Sequence, residues 1–500
     1  MTLFSLYVLL AALLILCHLS ISLRGYHIFQ LNSYKTGVQI AWFSRNLANA
    51  WSPMRAAAKK PLVYTPRMLR MFATHLVVLL AGMAVSFHSG AFCALAFAAV
   101  AALSAPIFPL LSNLLNAPFE RAINRWYIED AKKILKSMPN LRVIGVTGSY
   151  GKTSVKNFLR KVLASEFNVL MTPESYNTTL GVVKTIRSYL SPAHDIFICE
   201  MGARKRGDIK EICDIVNPGF GVITSIGEQH LESFGAVSNI VKAKFELADA
   251  LPRDGLLFLN IDNEFIQERV SDGSCPLPQT IVRWSVSDAR GEARENIYRA
   301  FNLSVSLKGS VFTVAFPDGE ERTFETQLIG VPNVTNILAS VAVADNLGVE
   351  RTDIVISVAR LEPVPHRLQL LRNARLAIID DAYNSNPNGA QAALSALSLF
   401  DGYFKILVTP GMVELGEKED ELNRRFGAQA AEVCDFVILV GEGRANRIKS
   451  IFAGLRDAGY EAEKIFVSES LSLAFEKINL IDAGRYAKIV LLENDLPDNY

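Results

Sequence analysis

Leu141-Arg-Val-Ile-Gly-Val-Thr-Gly-Ser-Tyr-Gly-Lys-Thr-Ser154 is the stretch that decides the fold. Val143 to Val146 reads as a buried strand, Gly148 to Thr153 as a glycine-containing turn, and Val155 to Ala164 has helical periodicity. Strand, glycine turn and helix in that order make a phosphate loop, in which backbone N–H groups and the helix N-terminus face the anion. On this reading Gly148, Gly151 and Ser154 line the nucleotide, Lys152 neutralises its β- and γ-phosphates, and the Thr153 hydroxyl ligates Mg2+. The strict G-x-x-x-x-G-K-[ST] pattern is not met, because Val146 occupies its first glycine position. The loop therefore predicts phosphate binding and leaves the reaction open.

Upstream, the composition changes. The chain has 500 residues, enough for two or three domains. Its apolar excess lies in roughly the first 115 residues. Leu3 to Leu23 holds no charged residue, and further apolar runs cover about Met71 to Phe87 and about Ala91 to Leu115, split at His88-Ser89-Gly90. Crossing the hydrocarbon of a bilayer takes about 20 apolar residues. Residues 1–118 are thus expected to form a membrane unit with three transmembrane helices. A cleaved signal peptide would want basic residues before the first run, and none precedes Leu3. The loop 24–70 carries Arg24, Lys35, Arg45, Arg55, Lys59, Lys60, Arg67 and Arg70 and no acidic residue, which places it on the cytoplasmic side. The predicted localisation is a multi-pass cell-membrane protein with cytoplasmic catalytic domains. Tyr26, Tyr34, Trp42 and Trp51 suit the same loop to a headgroup boundary.

Overall charge excludes a broad class. With 51 basic and 50 acidic residues the net charge is +1, which gives no argument for nucleic acid as a partner. Cys17, Cys93, Cys199, Cys213, Cys275 and Cys434 form no C-x-x-C pair, so neither a disulfide framework nor a thiolate zinc site is expected.

Downstream of the loop, several segments follow in order. Ile196-Phe-Ile-Cys-Glu-Met-Gly-Ala203 is a buried strand ending in a carboxylate, where open α/β sheets bind ligands. Gly221-Val-Ile-Thr-Ser-Ile-Gly-Glu-Gln-His-Leu-Glu-Ser-Phe-Gly235 is a strand and loop holding His230. Ile240-Val-Lys-Ala-Lys-Phe-Glu-Leu247 begins a helix, and Gly330-Val-Pro-Asn-Val-Thr-Asn-Ile-Leu-Ala339 opens another. Pro363-Val-Pro-His-Arg-Leu-Gln369, Ile378-Ile-Asp-Asp-Ala-Tyr-Asn-Ser-Asn-Pro387 and Gly411-Met-Val-Glu-Leu-Gly416 complete the set.

From about Arg142 to the C-terminus this series resembles the Mur ligase family, and Ile378 to Pro387 resembles its D-alanyl-D-alanine-adding branch. Gly145, Thr147, Gly148, Gly151, Lys152 and Thr153 match the family's G-x-T-G-x-x-G-K-T/S loop. The resemblance implies an α/β fold with three parts. After the N-terminal transmembrane helices come an ATP-binding P-loop central domain (140–365) with a mostly parallel sheet and a Rossmann-like C-terminal domain (370–500). It implies ATP and two Mg2+ as cofactors, with Thr153, Glu200, His230 and Lys244 as metal residues. Lys152, Lys244 and His230 become catalytic, and Lys244 is the lysine the family carbamylates, whereas Lys242 reads as a surface residue. Asn333 and Asn336 should flank adenine, although Pro332 stands where a histidine usually precedes the first asparagine. Arg367 at the inter-domain hinge and Asp381 should reach the nucleotide.

The implied activity is an ATP-dependent amide ligase in cell-wall precursor synthesis, acting through an acyl phosphate. Its partners are a carboxylate acceptor (a muropeptide or lipid-linked precursor) and an amino-acid or dipeptide amine donor. Three departures qualify that expectation. About 25 residues separate the third apolar run from the phosphate-loop strand, too few for the domain that soluble relatives use to grip a UDP-sugar. The expected Lys-Gly-Ser-Arg-like segment is replaced by Leu491-Leu-Glu-Asn-Asp-Leu-Pro-Asp-Asn-Tyr500, an attractant for an amine or a solvated tail. Asn423 stands where the branch often has histidine. Two alternatives remain open: a membrane-bound polyglutamate- or capsule-type amide ligase, and a non-catalytic cell-wall scaffold.

Overall fold

The computed structural model describes residues 3–32, 34–52, 61–174, 176–228, 231–271, 280–286, 296–372, 376–383, 385–413, 415–441 and 445–494. The chain divides into two compact units, residues 1–127 and 128–500.

In the first unit, helices Leu3–Leu31 and Pro66–His88 are each long and apolar enough to cross a membrane. The second opens on a capped turn: Thr65 Oγ1 accepts the Met68 N–H at 3.2 Å and Pro66 takes the first helical position. Where the third apolar run was expected as a span, the helix is broken. Helices Ala91–Ser104 and Phe108–Lys136 meet at a bend of 88°. Pro106 and Pro109 account for it, since proline lacks the N–H for the helical ladder and disfavours helix in the residue before it. Fourteen residues of helix span only about 21 Å, short of the roughly 30 Å of hydrocarbon. Among the described residues, two helices and one broken pair stand where three spans were expected.

A chain of polar contacts runs through the packed helices. His18 Nδ1 donates to Ala101 O at 2.6 Å, and His18 Nε2 lies 2.6 Å from His75 Nε2. His75 Nδ1 lies 3.1 Å from the Tyr26 hydroxyl, which is 2.8 Å from Ser112 Oγ. Each group thereby has a partner where water is scarce, as apolar surroundings require.

The second unit holds two sheets. Strands β1 (Arg142–Thr147), β2 (Val169–Met171), β3 (Ile196–Glu200), β4 (Phe220–Ile223), β5 (Leu256–Asn260), β6 (Thr280–Val286), β7 (Ile297–Ser306), β8 (Gly309–Ala315) and β9 (Glu321–Thr326) form the first, in the order β2-β3-β1-β4-β5-β6-β7-β8-β9. Pairing is parallel from β2 through β7 and antiparallel in β7-β8-β9. Helix Lys152–Leu163 buries Val155, Phe158, Leu159 and Val162, a helical i, i+3, i+4, i+7 face, in the core that Ile144, Ile198, Val222 and Trp284 share. Pro317-Asp-Gly319 is the turn between β8 and β9, with Gly319 at φ +87°.

Strands β10 (Gln369–Arg372), β11 (Leu376–Asp381), β12 (Tyr403–Thr409), β13 (Phe436–Val440), β14 (Ile465–Ser468) and β15 (Ala487–Glu493) form the second sheet, ordered β10-β11-β15-β12-β13-β14. All pairs are parallel except β10 with β11. Parallel strands covered by helices on both faces are continuously apolar, as Phe436-Val-Ile-Leu-Val440 is.

Candidate active site

The C-terminal ends of β1, β3 and β4 converge on the glycine loop. Ser149 N–H donates to Ser225 O at 2.7 Å and Tyr150 N–H to Ser225 Oγ at 3.2 Å, which straps the loop to the exit of β4. Gly148 (φ +151°) and Gly151 (φ +80°) both sit where a Cβ would collide, with Thr224 Oγ1 and Asn336 Oδ1 respectively. Asn336, on helix Val331–Asn346, is therefore held over the loop. Asn333 is buried, and its Nδ2 donates at 2.9 Å to Ile329 O, just before its own helix. Ser154 lies buried in the first turn after the loop.

Lys152 folds into the bowl of the loop, its Nζ donating to Gly148 O at 2.7 Å and Ser149 O at 2.9 Å. Burial pulls its ammonium down to about 8; Glu200 opposes that shift and Arg367 adds to it.

Glu200, at the end of β3, is the centre of the polar network. Its Oε1 accepts from Thr153 Oγ1 at 3.2 Å and from Asn177 Nδ2 at 3.1 Å. Its Oε2 lies 2.9 Å from Lys156 Nζ, and both side chains are sealed from solvent, at 1% and 0% exposure. Lys156 also donates to Glu174 O. Burial pushes the Glu200 carboxyl up, but Lys156 and Lys152 outweigh it, so the group rests below its ordinary value and is ionised. Lys156 is a functional candidate that the sequence did not reveal. It lies four residues after Lys152 on the helix, and in the sequence it reads as a solvated cation.

Lys244 sits on helix Val237–Ala250 and is buried, whereas Lys242 is exposed. Burial first, and the charge of Lys152 second, drive the Lys244 ammonium well below its usual range. Burial of this kind favours the neutral amine over the ammonium. His230 lies outside the described residues.

Hard oxygen donors suit magnesium, which commonly takes one or two protein ligands and completes its shell with water and phosphate. Thr153 Oγ1 and Glu200 Oε1 are such donors, 3.2 Å apart beside the loop. Among the described residues no group of three His, Cys, Asp or Glu could hold a metal. Thr153 and Glu200 fit an ion held mainly by a nucleotide's phosphates.

The C-terminal domain reaches into this site through Arg367. Its Nη2 donates to Thr153 Oγ1 at 3.4 Å, and its guanidinium lies 4.5 Å from the centre of the Tyr383 ring. Neighbours His366 (φ +59°) and Leu368 (φ +46°) adopt left-handed backbone, uncommon for such residues and costly enough to mark a constrained segment. Asp381 Oδ1 accepts the Leu368 N–H at 3.0 Å, and burial pushes its carboxyl up to about 6. Asp381 thus faces the hinge backbone. Asn423 is fully buried and clamps the loop after β12, accepting from Met412 N at 2.9 Å and donating to Met412 O at 3.0 Å. Glu493 is likewise buried, at 1% exposure, and no part of a solvated tail; residues 495–500 lie outside the described ones.

Comparison with known proteins gives a consistent picture. Residues 146–344 match the Mur ligase middle domain and residues 366–492 match "Mur ligase, glutamate ligase domain". The UDP-N-acetylmuramoyl-tripeptide--D-alanyl-D-alanine ligase of Bacillus subtilis is 32% identical over 300 residues, covering 60% of this chain and 62% of that protein. The Escherichia coli protein of the same name is 32% identical over 306 residues, covering 60% of this chain and 65% of its own length. The chain thus spans somewhat under two thirds of the length of these two relatives. Among solved structures, MurF from Acinetobacter baumannii aligns with a TM-score of 0.65 and 26% identity over 74% of this chain and 77% of that one. The ADP complex of MurF ligase from Thermotoga maritima shares the fold, with a TM-score of 0.64 and 23% identity over 74% and 80% of the two chains.

Proposed function

We propose that this chain, which belongs to the Mur ligase family by its middle and C-terminal domains, is an ATP-dependent amide ligase of cell-wall precursor synthesis. The observation that carries the reading is the convergence on Thr153 of Glu200 from β3 and Arg367 from the C-terminal domain, at 3.2 and 3.4 Å. The γ-phosphate end of a nucleotide in the loop would meet both domains there.

A carboxylate is a poor electrophile, because its charge and resonance resist attack. One of its oxygens attacks the γ-phosphorus, the bond to the β-phosphate oxygen breaks, and ADP leaves with that electron pair. The amine nitrogen then attacks the acyl carbon. The tetrahedral adduct collapses, phosphate departs with the C–O electron pair, and the amine loses its proton. Two anions must approach in the first step, so fixed positive charge does most of the work. Lys152 supplies it from the loop and Arg367 from across the cleft. Thr153 and Glu200 would hold Mg2+, which screens the phosphate charge when bound. The Lys156 ion pair keeps Glu200 ionised and aimed at Thr153. Closure of the C-terminal domain about residues 363–367 excludes water, which would otherwise hydrolyse the acyl phosphate.

The burial of Lys244, which favours its neutral amine, supports carbamylation: the nitrogen adds to CO2 and releases a proton, giving a carboxylate-like group for a second Mg2+. Asn336, and not Asn333, is the amide placed to meet the nucleotide. The amine donor that best fits the relatives is D-alanyl-D-alanine. The acceptor is a membrane-linked muropeptide, since the family match begins at residue 146 and membrane-length helices precede it. The catalytic unit is accordingly cytoplasmic and anchored.

ADP release by the detergent-solubilised full chain should be measured against UDP-linked and lipid-linked muropeptides, each with D-alanyl-D-alanine and with single amino acids. Lys152→Ala is the control. Turnover with the lipid-linked acceptor and dipeptide supports the proposal. Equal turnover with the soluble UDP-tripeptide removes the membrane-linked acceptor, and glutamate as preferred donor favours the polyglutamate-type reading.

A further inference from the structure

We infer that Glu493 is a positioning residue that acts through Asp381 to set Arg367 against Thr153. The inference rests on reading this cleft as a nucleotide-dependent ligase site. Asp381 and Glu493 end neighbouring parallel strands and are register partners in β11 and β15. Side chains in register share a face, and like charges opposite one another repel. Yet each shifts the other's proton affinity in the way a carboxylic acid donating to a carboxylate does. Both are oxygen acceptors, so that arrangement needs a proton on one of them.

Glu493 is the group placed to carry that proton. Ser385 Oγ donates to its Oε1 at 2.5 Å, and among the described residues no donor reaches its Oε2, which leaves Oε2 for the acid hydrogen. Burial, then the Asp381 charge, hold Glu493 well above the carboxylate range. Asp381 is the better anion of the two, because the Leu368 N–H and the Arg367 charge both favour its ionised form. Among the described residues the other groups beside the pair are neutral or already paired: Asp380 with His366 Nδ1 at 2.8 Å, and Ser385 with Asn494 through its N–H at 3.2 Å.

A connected path follows. Glu493 O–H donates to Asp381, Asp381 accepts the Leu368 N–H, and the left-handed residues His366 and Leu368 fix the direction in which Arg367 leaves the backbone. Arg367 then donates to Thr153. Loss of the Glu493 proton puts two anions face to face and loosens the segment that aims Arg367. The requirement is for a neutral donor at 493, and not for a carboxylate.

The test uses the full-length protein in detergent and the magnesium complex of a fluorescent ATP analogue, titrated from about pH 6 to about pH 9. Glu493→Gln supplies a neutral N–H donor of the same shape; Glu493→Leu supplies none. The Leu variant should bind roughly 10- to 100-fold more weakly, the range for a lost hydrogen bond to a charged group. The Gln variant should bind within about threefold of wild type at low pH. The ratio of Gln-variant to wild-type affinity should climb as pH rises, a comparison from which titration of Lys152 cancels. If the Leu variant fails to fold, that ratio alone decides. A ratio flat across the range, or a folded Leu variant binding like wild type, overturns the role of Glu493. No binding by the wild type at any pH overturns the nucleotide-site reading and this inference with it.

Discussion

Lys156 Nζ lies 2.9 Å from Glu200 Oε2, and neither side chain touches solvent. A sealed ion pair is costly to assemble and more costly to break, because the surviving charge keeps its desolvation penalty. Lys156→Met should therefore destabilise the catalytic unit by about 3–5 kcal/mol. The double change Lys156→Met with Glu200→Leu should recover most of that loss. Thermal unfolding followed by circular dichroism measures both, and a single variant as stable as wild type would contradict the buried pairing. Glu200 adds a pH dependence. Its carboxyl is held below the ordinary value in the folded chain, so its contribution is present above that value and is lost as pH falls through the folded one.

Lys152 gives a second prediction. Its ammonium rests near 8 in the free chain, so part of the population is uncharged just above neutrality. Bound phosphate would restore the charge, and nucleotide binding should take up a proton. Affinity for the ATP analogue should fall as pH rises through about 8, and Lys152→Arg, which stays charged, should flatten that fall. Calorimetry in two buffers of different ionisation enthalpy reads the proton directly. Zero uptake near pH 8 would show that the lysine is fully charged before the ligand arrives.

How much of this was legible beforehand depends on how local each signal is. The phosphate loop was legible because its chemistry demands contiguous residues, Gly148 to Ser154, between a strand and a helix. Both parallel sheets were legible because strands buried on two faces are continuously apolar. Lys156 was not, since a lysine on an amphipathic helix looks the same whether it meets solvent or a carboxylate brought by β3. Glu493 read as part of an acidic tail because its partner, Asp381, is 112 positions away in sequence. The bend between Ser104 and Phe108 is masked in the sequence by apolar residues that continue through it, and Pro106 and Pro109 carry its signal. Strand β10 has only four residues and one charge, Gln369-Leu-Leu-Arg372, too little pattern to read.

Carbamylation of Lys244 is the third prediction. The neutral amine, which burial of Lys244 favours, is the form reactive toward CO2, and the ammonium is not. Incubation with 13C-bicarbonate should give a carbamate resonance that Lys244→Ala lacks. ADP release should drop by about 100-fold or more in that variant, as for loss of a group that stabilises charge in the transition state. Acetate should restore part of it by occupying the vacated space with a carboxylate. A wild-type spectrum with no carbamate signal, together with full activity in CO2-free buffer, removes the second metal residue from the scheme.

The first unit carries its own prediction. His75 Nε2 and Nδ1 contact His18 and the Tyr26 hydroxyl, which join helix Pro66–His88 to helix Leu3–Leu31. His75→Leu removes one hydrogen bond from each partner in apolar surroundings, while His18 keeps Ala101 O and the Tyr26 hydroxyl keeps Ser112 Oγ. Hydrogen bonds between membrane helices contribute about 0.6–2 kcal/mol each, so melting in detergent should shift down by a few degrees at most. A larger collapse would mean the chain of contacts acts as one cooperative network.

Orientation follows from charge and is tested with single cysteines. The loop between helices Leu3–Leu31 and Pro66–His88 has basic residues and no acidic ones, and cytoplasmic loops carry such an excess. The Ser89-Gly90 corner at the end of the second helix must then lie on the opposite side. In a background with Cys17 and Cys93 replaced, Ser89→Cys should react with a membrane-impermeant maleimide in intact cells. Ser44→Cys should react only after permeabilisation. If Ser44→Cys is the one labelled from outside, then the loop is external and the phosphate loop, beyond a bent helix pair, must be placed afresh relative to the cytoplasmic ATP pool. A second observation then decides how: if the bent pair crosses once, a cysteine at Lys136 lies opposite one at Ser89, and if it re-enters and returns, both lie on the same side.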